Sequence, residues 1–73
     1  MPPLPVTSGH WTVQALLRAG FVVAGQRGSH VKLRDAAGHT VIVPMHAELR
    51  AGTLRSVLRQ AGLTVEQFTT LLK

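Results

Sequence analysis

Residues His30 to Arg34 alternate without a break: Val31 and Leu33 are apolar, while His30, Lys32 and Arg34 are polar or charged. Successive side chains of a strand point to opposite faces, so this stretch reads as a strand with one face in a core and the other in water. Any fold that contains it must supply apolar cover for one side of a sheet. Two neighbours extend that sheet. Phe21-Val22-Val23-Ala24 is β-prone and is ended by Gly25, and Thr40 to Val43 forms a further run stopped by Pro44. Asp35-Ala36-Ala37-Gly38 between the last two reads as a hairpin turn. Three consecutive strands with short links form an antiparallel meander.

The cover comes from helical segments. Ser8 is placed to cap a first helix, in which Val13, Leu16 and Leu17 form an apolar stripe at i, i+3 and i+4 before Gly20 stops it. Thr53 is the expected cap of a second helix, with Leu54, Val57, Leu58 and Ala61 as its buried stripe and Gly62 as its stop. Thr64 followed by Gln67 is a capping-box pattern for a short third helix carrying Val65, Phe68, Leu71 and Leu72. The expected order is α-β-β-β-α-α, an α+β fold with a three-stranded antiparallel sheet and its helices on one face. Residues 1–7 hold three of the four prolines and read as an extended lead-in; residues 8–73 read as a single domain.

Charge narrows the function. Eight Lys and Arg stand against three Asp and Glu, a formal charge of +5, which points to a polyanionic or acidic partner. No apolar run reaches the length of a membrane span, and the opening has neither a basic n-region nor an apolar h-region. Without cysteine there is no disulfide or thiolate metal site, and a reducing cytoplasm is the expected location. The four histidines match no metal-ligand spacing, so no metal or cofactor is expected. Trp11, Phe21 and Phe68 are assigned to the core. With 4% aromatic residues, this leaves no exposed platform for stacking bases and speaks against a single-strand reader of the RRM kind.

The outward face of the central strand is the candidate site. Period two puts His30, Lys32 and Arg34 on one side, with Arg27 just before them, so an imidazole stands among cations. Lys and Arg hold phosphate, Arg bidentately, and His moves protons near neutral pH. An ordinary solvated sheet face has the same pattern. His46, beyond Pro44, is a possible second contact across the sheet or simply a loop residue. Arg50, Arg55 and Arg59 form a basic stripe off the apolar face of the second helix, suited to a nucleic-acid backbone or to water alone. Ser29 and His30 do not form a nucleophile-base pair, because adjacent strand residues point to opposite faces.

Four motifs in order resemble one family. They are Leu16-Leu17-Arg18-Ala19-Gly20-Phe21, Gln26-Arg27-Gly28-Ser29-His30, Val43-Pro44-Met45-His46, and Gly52-Thr53-Leu54-Arg55-Ser56-Val57-Leu58-Arg59-Gln60-Ala61-Gly62-Leu63. Together they are similar to the HicA family of mRNA interferase toxins, over residues 8 to 72. The resemblance implies a double-stranded-RNA-binding-domain-like α-β-β-β-α fold. It implies a toxin that cleaves mRNA and arrests translation, neutralised by a cognate HicB antitoxin. The family's catalytic histidine follows Gly-Ser and maps onto His30. Members commonly carry a polar residue after it, where this chain has Val31. Arg27, Lys32, Arg34, His46, Arg50, Arg55 and Arg59 are then the expected RNA contacts, with no membrane partner and no sequence-specific DNA binding. A non-catalytic double-stranded RNA binder and a basic protein-interaction module are the competing readings.

Overall fold

A computed structural model describes residues 3–73; the expectation of an extended opening at Met1 and Pro2 lies outside the described residues. The elements run α1 (Gly9–Arg18), β1 (Val22–Arg27), β2 (His30–Arg34), β3 (Thr40–Pro44), α2 (Ala51–Ala61) and α3 (Val65–Leu71). The sheet is antiparallel in the order β1-β2-β3, and the helices cover one face. No helix among the described residues is long and apolar enough to cross a membrane.

Local signals place most boundaries. Ser8 caps α1 by accepting from the Trp11 N–H, and Thr64 and Gln67 form the reciprocal capping box of α3. Gly62 ends α2 in the left-handed region at φ 69°, where a side chain would be strained. Val31 and Leu33 point into the core opposite Val43 and Val41, and all four are buried. Leu16, Leu54, Val57 and Phe68 close over them from the three helices.

Four expectations need correction. α2 begins at Ala51 with Arg50 at its N-cap and no side-chain cap, so Thr53 lies inside the first turn. Buried Leu49, whose N–H donates to the Thr7 carbonyl (2.9 Å), anchors the chain just upstream and lets the helix start earlier. β1 continues past Gly25 to Arg27, because a bulge between Val23 and Gly25 absorbs the irregularity and Arg27 still pairs with His30. The reversal comes at Gly28, at φ 57°. Trp11 is 53% exposed rather than in the core, since α1 buries Thr12, Val13, Ala15 and Leu16 and Trp11 falls off that stripe. Leu17 is half-exposed on the opposite flank for the same reason.

The β2–β3 turn is held by Asp35. Its carboxylate accepts from the His39 N–H and meets His39 Nδ1, each at 2.7 Å. Desolvation pushes this carboxyl up, but the side-chain and backbone hydrogen bonds from His39 outweigh it and hold the pKa below its ordinary 3.8. A lowered folded-state pKa adds stability above the unfolded value, and that stability is lost as pH falls through the folded value. Asp35→Asn is therefore expected to lower the thermal midpoint at neutral pH. The gap to wild type should close as pH drops through 3.8 and below. Melting curves of both proteins from neutral to acid pH check this; a gap constant with pH would remove the Asp35 charge from the account.

Candidate nucleic-acid interface

Residues directly opposite each other in an antiparallel pair share a face. The outer face of the sheet therefore carries three cross-strand rows: Arg27, His30 and Pro44; then Gly25, Lys32 and Ile42; then Val22, Arg34 and Thr40. The middle row lacks a side chain at Gly25, and nothing lies within 4 Å of where its Cβ would be. The gap opens a shallow groove of about 400 Å³ lined by Gly25, Gln26, Arg27, His30, Lys32 and Ile42. Gln26 turns back to donate from Nε2 to the Gly28 carbonyl (3.2 Å), bracing the turn that presents Arg27 and His30.

The groove gathers three of the expected site residues. His30 and Arg27 are exposed, and Lys32 is partly buried. Arg34 shares their face one row on, outside the groove. His46 is exposed and two residues past Pro44, which is itself the partner of His30. Its side chain does not line the groove. Arg50, Arg55 and Arg59 are exposed on α2, in the helix layer and not on the groove face. Gln26, Gly25 and Ile42 are additions to the expected set. The period-two pattern around Gly25 could have signalled a missing side chain beside Lys32, but the bulge hides that register in the sequence.

None of the groove cations is spent on a carboxylate. Among the described residues the ion pair is Asp35 with His39, at the far end of β2. Arg27 and Lys32 thus keep their charge for an external anion. No three His, Asp or Glu side chains among the described residues gather so as to hold a metal ion. The arrangement can grip a phosphate between two cations and offer it an imidazole.

The His30 end of the sheet is also where distant segments are tied together. The Met45 N–H donates to the Ser29 carbonyl (2.6 Å), and the Gly9 N–H donates to the His46 carbonyl (2.9 Å). A Cβ on Gly9 would lie 2.7 Å from the Met45 Cα and within contact distance of the Pro44 carbonyl oxygen. Gly9→Ala would ordinarily favour a helix by up to about 1 kcal/mol. Overpacking against immovable backbone costs about 1–3 kcal/mol, so a net loss is expected. Gly52→Ala, in the open first turn of α2, is the matched control and should be neutral or slightly stabilising. Thermal melts compare the two; equal midpoints would mean α1 is not seated against β3 as described.

Comparison with known proteins points to one family. A family model described as "HicA toxin of bacterial toxin-antitoxin" matches residues 12–63, more than half of the chain. Among solved structures, a chain of a "Toxin-Antitoxin complex from Streptococcus pneumoniae" superposes with a TM-score of 0.68 at 29% identity. The match covers 78% of this chain and 98% of that one. A search of curated proteins returned no match.

Proposed function

Because the chain belongs to the HicA toxin family of bacterial toxin–antitoxin systems, we propose that it is a metal-independent endoribonuclease that cuts mRNA with His30 as its catalytic group. The observation that carries this reading is the exposed imidazole of His30 in the Arg27–Lys32 groove, with no carboxylate paired to either cation.

The chemistry follows from the groove. His30 accepts the proton of a ribose 2′-OH as that oxygen attacks the adjacent phosphorus. A P–O2′ bond forms and the P–O5′ bond breaks, leaving a 2′,3′-cyclic phosphate. The 5′ oxygen takes a proton from water, since His46 does not line the groove. Arg27 and Lys32 stabilise the charge that accumulates on the phosphoryl oxygens, and such preorganised electrostatics supply a large share of catalysis. Arg34, in the next row, meets the flanking phosphate, while His46 and the α2 residues Arg50, Arg55 and Arg59 add diffuse attraction for the chain.

Neutralisation uses the same face. The partner is a HicB-type antitoxin that presents acidic residues to the groove and blocks RNA by covering His30. The toxin acts in the cytoplasm, where its mRNA substrate is.

Purified protein incubated with single-stranded RNA in EDTA is expected to release fragments ending in a cyclic phosphate. The same oligonucleotide with deoxyribose at the cut position should stay whole, because it lacks the attacking hydroxyl. RNA that survives in EDTA, or a deoxy-substituted strand that is cut equally well, would remove the 2′-OH mechanism.

A further inference from the structure

Gly25 is a glycine that the backbone does not need. It lies inside β1, where a residue without a side chain weakens the strand. It borders the bulge that follows Val23, a place where glycine ordinarily supplies a positive φ. Gly25 supplies none: the described glycines with positive φ are Gly20, Gly28, Gly38 and Gly62. Close approach does not require it either, since nothing lies within 4 Å of a Cβ built there. Both usual reasons for a glycine fail, and what its missing side chain leaves is room.

That room lies on the same side of the sheet as His30. Gly25 pairs with Lys32 and Lys32 with Ile42, so the hollow belongs to the row beside Arg27, His30 and Pro44, on one outer face. Gly25, Lys32, Ile42 and His30 line a single groove. Successive residues on one face of a strand stand about 7 Å apart, a span that one nucleotide covers from its phosphate to its base. The floor of the hollow is the bare Gly25 backbone. Lys32, half-buried, comes next in the row, and Ile42 beyond it is 39% exposed. A planar ring can lie against such a floor over its whole face, which a puckered sugar cannot.

We infer that the Gly25 hollow seats the nucleobase next to the phosphate held by Arg27, His30 and Lys32. The inference rests on the nuclease reading and names what the groove holds besides phosphate: one base, taken by its flat face without an aromatic partner. Only an unpaired base can enter, because a base inside a duplex is covered on both faces by its neighbours. Gly25 is therefore a specificity-determining residue, and it selects single-stranded RNA.

Nucleoside 3′-monophosphates test this without any cleavage, against ribose 3-phosphate, which carries the same charge and no base. Burying one face of a base is worth about tenfold in affinity. Wild-type protein titrated by NMR should bind the nucleotides about tenfold more tightly than ribose 3-phosphate, with the Gly25 amide shifted by the nucleotides alone. Gly25→Val fills the hollow with a side chain that suits a strand, and should melt at the same or a higher temperature. It should bind ribose 3-phosphate as the wild type does, lose the preference for nucleotides, and raise KM for single-stranded RNA about tenfold. Equal binding of nucleotide and ribose 3-phosphate by the wild type overturns the base seat, as does a Gly25→Val protein that keeps the preference. The wild-type comparison decides whatever Gly25→Val does to the fold. Failure of the nuclease reading looks different: RNA stays uncut while the nucleotides are still preferred.

Discussion

His30→Ala protein is expected to be folded and unable to cut RNA. Removing a general acid–base group lowers a rate by about 10²–10⁴, enough to abolish growth arrest in practice. The side chain is exposed on the outer face of β2 and makes no hydrogen bond with the described residues, so its loss leaves no cavity and no orphaned partner. Surface changes of that kind stay within about 0.5 kcal/mol, a shift of no more than a few degrees in the melting midpoint. The decisive comparison pairs a cleavage time course with a thermal melt on the same preparation. Wild-type cleavage by the variant would dismiss His30 from the chemistry. A large drop in midpoint would mean the loss of activity reports unfolding instead. The neighbouring cations should behave differently. Arg27→Ala and Lys32→Ala should weaken RNA binding, each flatten its salt dependence by about one phosphate contact, and also slow the cut, because both cations hold the phosphate and stabilise the charge it gains in the transition state.

Phe68→Ala is expected to be the most damaging single change to the fold. Phe68 is fully buried and heads the largest enclosed side chains. It lies on α3, beyond residues 12–63 that match the family model. A helix of seven residues has little stability of its own, so α3 persists through what it packs against. Arg18 Nη1 donates to the Leu71 carbonyl at 2.7 Å and ties α3 to the end of α1. Truncating a buried phenylalanine costs about 3–5 kcal/mol. A domain of this size has about 4–11 kcal/mol in all, so the variant should melt more than about 10 °C lower or fail to fold. Deleting the chain after Leu63 should be at least as severe. A truncated protein with a cooperative, wild-type-like melt would show that α3 is an appendage. Calorimetry on the pair therefore measures whether the last helix is part of the core.

The helices were legible because their signals are local. Ser8 reaches the Trp11 amide three residues on, Thr64 and Gln67 satisfy each other across one turn, and Gly62 takes a backbone conformation few residues tolerate. β2 was legible for the same reason: alternation is a property of adjacent residues, and Val31 and Leu33 went inward as the pattern requires. The family resemblance rests on the same motifs, and it brought His30 forward from a set of otherwise ordinary polar positions.

Trp11, the start of α2 and the extent of β1 depart from their local signals because each depends on a distant partner. Thr53 is a good cap by composition, but the Leu49–Thr7 bond, made across most of the chain, starts the helix at Ala51. Gly25 ends a strand by propensity, yet pairing with β2 carries the chain through it and makes it the hollow of the groove. Trp11 is apolar enough for a core whose stripe on α1 was already filled by others. Periodicity, caps and charge, all set by residues within a turn or a pleat of one another, specify the elements and the cationic face of β2. Which cations share a groove, and which ring is left in water, follow from packing between segments tens of residues apart, where contact energies outweigh any local preference.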